Sequence, residues 1–263
     1  MDRLVRMNVP SSYASFDGAR IALHTLGDGR PTIMLHGFLA NAQSNWFGPG
    51  IAQLLAAEGR QVIAPDLRGH GQSAALPASS HDWPGDVLVD DQLCLIERLG
   101  LADYDLVGYS LGARTAARMM VRGARPARCV LGGMGASGIL EAGDRADMFE
   151  DAIRNGENAK DPRAGRRIQR MLTEGGLSAE AMLGVIASFV PTTWADLAGI
   201  PVPTLVVSGL DDHDNGSPED LARVLPRGAV VRVSGNHLSA VTDPALARAI
   251  ADFLDGDLPE SRS

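Results

Sequence analysis

Two cysteines in 263 residues are too few for a disulfide framework. Cys94 and Cys129 each lie inside an apolar periodic segment, as small buried hydrophobes do. Basic charge is also scarce: 24 Lys and Arg against 32 Asp and Glu leave a formal net charge of -8. A nucleic-acid groove needs a clustered cationic excess, so no nucleic-acid partner is expected. The local run Arg163, Arg166, Arg167 and Arg170 reads as a solvated helix face. No apolar stretch approaches the roughly 18 residues of a membrane span. Residues 1–13 hold arginines but no continuous apolar segment of the kind a secretory leader needs. The expectation is a cytoplasmic protein with no membrane partner.

Two further absences concern cofactors. Gly27-Asp28-Gly29 is a loop without the G-x-G-x-x-G that would follow a first strand, so no dinucleotide is expected. Asp211, Asp212, His213 and Asp214 are possible metal ligands, yet four consecutive side chains on one turn diverge and no second cluster accompanies them. No metal and no cofactor is therefore expected.

What is present is the composition of an ordinary globular protein, 45% hydrophobic and 21% charged, long enough for one large α/β domain. The 30 glycines exceed the roughly 18 that an average usage of about 7% predicts. Many of them stand where apolar runs end. Residues 13–26 alternate around Asp17-Gly18, which predicts an antiparallel hairpin at the sheet edge. Residues 32–35, 61–64, 104–107, 128–131, 204–207 and 229–233 read as short strands rich in aliphatic and β-branched side chains. Helical spacing separates them, as in Ile51-Leu54-Leu55, Val87-Asp91-Leu95-Leu99, Leu111-Thr115-Met119 and Leu246-Ile250-Phe253. Such alternation predicts a mostly parallel, eight-stranded sheet with helices on both faces and ligands beyond the carboxyl ends of its strands.

Residues 136–198 break the rhythm with helical patterns and no convincing strand. They are read as a helical cap inserted into a core formed by 1–135 and 199–263. Met148, Phe149, Met171, Leu172, Met182, Leu183, Ile186, Phe189 and Trp194 are its apolar residues. Of these, Trp194, Phe189 and Met148 are the candidates to touch substrate. The polar residues 255–263 read as a frayed tail.

Chemistry is concentrated at Gly108-Tyr109-Ser110-Leu111-Gly112, a G-x-S-x-G that leaves an apolar strand and opens a helical segment. A serine on so sharp a turn projects above the sheet at a helix N-terminus, where the dipole favours developing negative charge. A tight strand-to-helix turn would need the glycines alone. A nucleophilic serine also needs a base and an acid that orients it, in the chain order Ser, Asp or Glu, His. His237 follows strand 229–233 through Ser234-Gly235-Asn236, and Asp211 and Asp212 follow strand 204–207 through Ser208-Gly209-Leu210. Either aspartate satisfies the order. His36 and His70 read as loop-shaping residues, His24 and His81 as surface or satisfied-core residues, and His213 as a possible substrate contact.

With these residues in place the chain resembles the α/β-hydrolase superfamily over nearly its whole length. Leu35-His36-Gly37-Phe38 resembles the family's oxyanion loop. Asp66-Leu67-Arg68-Gly69-His70-Gly71-Gln72-Ser73 resembles its D-x-R-G-H-G-x-S segment, and Gly209-Leu210-Asp211-Asp212 its G-x-x-D acid loop. The resemblance implies the α/β-hydrolase fold, selects Asp212 as the acid, and places an oxyanion hole at the backbone N–H groups of Phe38 and Leu111. No HGGG run is present, which makes the chain similar to small cap-bearing serine esterases, enol-lactonases and carbon–carbon bond hydrolases. Related dehalogenases and epoxide hydrolases carry aspartate where Ser110 stands. The expected function is a serine carboxylesterase for small or medium carboxylic esters. The alternatives are a lactonase or carbon–carbon bond hydrolase of the same fold, or a small-molecule receptor retaining the triad.

Overall fold

The computed structural model describes residues 11–73, 83–140 and 143–256. Expectations for the first ten residues, for His81 and for the tail beyond 256 lie outside the described residues. Eight strands form one sheet: β1 (Ser12–Ala14), β2 (Arg20–Leu26), β3 (Arg30–Leu35), β4 (Arg60–Pro65), β5 (Asp105–Tyr109), β6 (Cys129–Gly132), β7 (Thr204–Gly209) and β8 (Gly228–Val233). Their spatial order is β1-β2-β4-β3-β5-β6-β7-β8. The β1–β2 and β2–β4 pairs are antiparallel and the other pairs parallel. The hairpin turns at Asp17-Gly18 as predicted, with Gly18 at φ 88° and the Ala19 N–H donating to the Asp17 carboxylate at 3.0 Å. Of the two hairpin strands only β1 is an edge, however, because β2 continues into the sheet against β4.

The helices are α1 (Ile51–Ala57), α2 (Val87–Leu99), α3 (Leu111–Val121), α4 (Ala136–Leu140), α5 (Gly143–Asn155), α6 (Pro162–Gly175), α7 (Ala179–Ala187), α8 (Trp194–Ala198), α9 (Pro218–Val224) and α10 (Pro244–Asp255). Strand alternation sends Ile33 and Leu35 to one face and Met34 to the other. Met34, Val107 and Val207 pack with α1 and α10, while Leu35, Leu106 and Val206 pack with α2, α3 and α9. Helices α4 to α8 fill the interval between β6 and β7, where the helical insertion is expected. On α6, Arg163, Arg166, Arg167 and Arg170 are all exposed, as their spacing predicts. Cys129 is buried, but Cys94 is only partly so and accepts a hydrogen bond from Arg98. Asp255 is not frayed: it ends α10 and holds Arg60 at 2.8 Å.

β3 lies between β4 and β5, so the strand order reverses there and opens a crevice at the carboxyl ends of β3 and β5. The segment after β4 braces that crevice from below. Asp66 accepts the Ala42 and Gln72 N–H groups at 2.9 and 2.8 Å and bonds the His24 ring at 3.0 Å. Arg68, fully buried, is paired with Asp91 and Asp17 at 2.6 Å each. His36 donates from Nδ1 to the Gly37 carbonyl at 2.8 Å and accepts the Leu67 N–H at Nε2 at 2.9 Å, which requires a neutral ring. The segment Asp66 to Ser73 is thus structural.

Burial pushes His36 down to about 4, and burial with the neighbouring His36 pushes His70 down to about 3. Both therefore fold neutral, whereas the unfolded chain takes up their protons below about 6.5. Stability held by these rings is complete above that value and falls as the pH drops toward the folded values, because the unfolded state then binds more protons. The expected loss between pH 7 and 5 is on the order of 2 kcal/mol for each histidine. Urea unfolding at the two pH values should give a smaller acid loss for His70→Asn than for the native chain. Equal losses would show that burial of His70 plays no part.

Candidate active site

Ser110 stands between β5 and α3 with φ 53° and ψ -114°, a conformation that costs a non-glycine residue about 1–3 kcal/mol. The flanking glycines make this turn possible. A Cβ at Gly108 would collide with the Gly112 carbonyl, and one at Gly112 with the carbonyl of Leu35 at the end of β3. Strand, turn and helix therefore approach closer than any larger residue allows, and Ser110 is held at the N-terminus of α3 facing the crevice.

Two loops beyond the next strands supply its partners. Leu210 and Asp211 donate backbone N–H groups to the Val233 and Gly235 carbonyls at 2.7 and 3.0 Å, binding the loop after β7 to the loop after β8. A Cβ at Gly209 would strike the Gly235 carbonyl, so this contact also depends on glycine. The result is a continuous chain: His237 Nε2 lies 3.0 Å from Ser110 Oγ, and His237 Nδ1 lies 2.9 Å from Asp212 Oδ2. Tyr109 donates its hydroxyl to the His237 carbonyl at 2.8 Å and fixes that loop from beneath. Asn215, buried, donates to the Gly133 carbonyl at 2.9 Å and ties the loops after β6 and β7 together.

The two aspartates are separated by exposure. Asp212 is 4% exposed and bonded to the ring, whereas Asp211 is exposed. Burial alone would raise the Asp212 carboxyl. The hydrogen bond and charge of His237, the Asp214 N–H and Arg145 outweigh it and hold the group below the usual carboxylate range. An ionised Asp212 keeps the proton of neutral His237 on Nδ1, leaving Nε2 free to accept from Ser110. His213 is exposed and lines neither cavity beside Ser110. Asp212, Asp214 and His237 carry potential ligand atoms within 4.8 Å of one another, but Asp212 and His237 are bonded to each other and Asp214 to Arg145.

Two cavities meet at Ser110. The larger, about 520 Å³, is lined by Leu111, Arg114, Leu140, Ile186 and Phe189 among others; the smaller, about 240 Å³, by Asn45, Met171 and His237. Phe38, Ser110, Arg145, Phe149 and Asp214 line both. Phe38 follows Gly37, whose N–H is held by the Asn45 side chain at 2.9 Å, and Leu111 is the first residue of α3. The Phe38 and Leu111 N–H groups donate to no other backbone carbonyl among the described residues.

Of the three candidate substrate contacts, Phe189 lines the larger cavity, while Met148 and Trp194 line neither cavity beside Ser110. Met148 lines a separate cavity with Asp151 and Lys160, since its neighbour Phe149 takes the inward position on α5. Trp194 is 51% exposed, because the short helix α8 buries Leu197 and turns its first residue outward. Arg114, Arg145, Asn45 and Asn215 were not singled out by sequence. For Arg114 a signal existed, namely its position one helical turn after Ser110.

Residues 32–250 match the model of the alpha/beta hydrolase family. A non-heme haloperoxidase of Rhodococcus erythropolis is 30% identical over 225 residues, covering 75% of this chain and 80% of that one. A 2-hydroxymuconate semialdehyde hydrolase of Pseudomonas sp. (strain CF600) is 36% identical over 125 residues, covering 46% and 42%. The solved structure of a thermophilic esterase from Thermogutta terrifontis superposes with a TM-score of 0.74 at 21% identity, covering 98% of this chain and all of that one. Fold and site together define a hydrolase of the α/β type. The chain belongs to the alpha/beta hydrolase family.

Proposed function

We propose that the protein is a serine carboxylesterase acting on small or medium carboxylic esters. The observation that carries this reading is the unbroken hydrogen-bonded chain from Ser110 through His237 to Asp212. Ser110 Oγ attacks the ester carbonyl as its proton passes to His237 Nε2, and Asp212 stabilises the imidazolium that forms. The Phe38 and Leu111 N–H groups receive the oxyanion, a contribution of about 3–4 kcal/mol for one well-placed donor. Collapse breaks the ester C–O bond, and the departing alkoxide takes the proton from His237. A water, deprotonated by the same Nε2, then attacks the acyl-serine, and the acid is released as His237 returns that proton to Ser110 Oγ. Residues 136–198 act as a cap whose apolar side chains close over the acyl group, and none of these steps calls for a cofactor.

A panel of p-nitrophenyl esters of increasing chain length, run beside a lactone and a vinylogous diketone, tests the reading. The expected outcome is repeated turnover of acetate and butyrate that vanishes in Ser110→Ala. Preferential cleavage of the lactone or the diketone would assign the site to a lactonase or a carbon–carbon bond hydrolase. Tight ligand binding without turnover would assign it to a receptor.

A further inference from the structure

Three arginines among the described residues are buried: Arg60, Arg68 and Arg114. Arg60 is paired with Asp105 and Asp255, and Arg68 with Asp17 and Asp91. Arg114 is 8% exposed and forms no ion pair among the described residues. Its Nη1 donates to the Gly138 and Ile139 carbonyls at 2.7 and 3.2 Å, its Nη2 is buried without a partner among the described residues, and its Cζ lies 4.9 Å from the Phe189 ring centroid. Asp86, the acid whose field reaches it, is already bound by Arg118 and Arg122. Burial lowers the guanidinium only to about 10, so it stays charged at neutral pH. A buried cation without an anion is costly, and two of the three buried arginines in this fold avoid that state.

Arg114 also stands in a particular place. Its N–H donates to the Ser110 carbonyl at 3.0 Å, which puts it one helical turn, about 6 Å, along α3 from the nucleophile. Both residues line the 520 Å³ cavity, and Leu140, Phe149, Ile186 and Phe189 make much of the remaining wall apolar. Asp214 is on that wall too, but Arg145 holds it at 3.3 Å. Since the departing alkoxide must collect its proton from His237, the alcohol belongs in the 240 Å³ cavity, which His237 lines, and the acyl group in the larger one.

Building on the esterase reading, we propose that Arg114 binds a carboxylate at the far end of the acyl group, so that the preferred substrates are monoesters of short dicarboxylic acids. An acyl chain with two to four methylenes between the scissile carbonyl and the carboxylate spans the helical turn. Its methylenes lie along the apolar wall and its charge meets the guanidinium.

The test compares monoethyl glutarate with ethyl valerate, which share alcohol and chain length, by pH-stat on the native protein, Arg114→Met and Arg114→Lys. A fluorophosphonate label on Ser110 serves as an independent readout of serine reactivity. The native protein should favour the glutarate monoester in kcat/KM by about 10- to 100-fold, mostly through KM. Arg114→Met should bring that ratio close to one, and Arg114→Lys should retain part of it. Because the readout is a ratio, a general loss of activity cancels. Turnover of ethyl valerate with no native preference for the charged ester would overturn the proposal while leaving the esterase reading intact, as would an unchanged ratio in Arg114→Met. If Arg114→Met does not fold, the native preference and its reduction in Arg114→Lys decide. An unlabelled Ser110 and no turnover of either ester would sink both readings together.

Discussion

Ser110→Ala is expected to lower kcat for p-nitrophenyl butyrate by a factor of about 10⁴ to 10⁶ while leaving the thermal unfolding midpoint nearly unchanged. The size follows from the role: without Oγ no acyl-enzyme forms, and only binding and the N–H groups of Phe38 and Leu111 can still assist attack by water. The small structural effect follows from the contacts. Among the described residues the Ser110 side chain makes one hydrogen bond, to His237, and the turn itself is held by backbone groups, including the Ser110 N–H to the Gly132 carbonyl at 2.8 Å. Alanine accepts φ 53° about as poorly as serine does, so the backbone cost is already present in the native chain. His237→Ala should be nearly as damaging, and the double variant no worse than either single one, because nucleophile and base work as a unit. Steady-state rates and fluorophosphonate labelling, with a melting curve as control, check all three variants. Full activity in Ser110→Ala would refute the mechanism.

The features legible in the sequence are those in which one residue type meets a local backbone demand. Gly108 and Gly112 announce the turn because nothing larger fits against Gly112 and Leu35, and the aliphatic runs announce strands because both faces of the sheet are covered. Asp212 and His237 were legible for a related reason, since each follows a strand within a short loop, and parallel strands bring such loops to one edge. What escaped depends on helix phase and on packing between elements that are distant in sequence. Met148 and Phe149 differ by one position, about 100° around α5, and only the approach of α5 to Phe38 shows which turns inward: the Phe38 and Phe149 rings lie 5.0 Å apart. Trp194 is apolar enough for a pocket wall, but α8 is too short to bury both Leu197 and its own first residue. Arg114 is not singled out by the sequence reading. Its significance lies in a missing partner, which no sequence can display.

Asp212→Asn is expected to lower kcat by about 10³- to 10⁴-fold with little change in KM, whereas Asp211→Asn should stay within about threefold of the native rate. The distinction rests on the two oxygens of Asp212. Oδ1 accepts the Asp214 N–H at 3.2 Å and Oδ2 faces His237 Nδ1 at 2.9 Å. An asparagine must still meet the Asp214 N–H with its carbonyl oxygen, because its NH2 there would face another donor. The NH2 is then directed at His237 Nδ1, which has to accept rather than donate. That choice moves the ring proton to Nε2, opposite Ser110 Oγ, and removes the base from the one hydroxyl that needs it. Substrate still enters the same cavities, so KM is largely preserved. Asp211 is exposed, and the bond that matters there comes from its backbone N–H to Gly235, which asparagine keeps. Equal losses in the two variants would move the orienting role away from Asp212. A nearly native Asp212→Asn would mean that His237 keeps its tautomer without a carboxylate, with the carbonyl oxygen of the asparagine directed at Nδ1 after all.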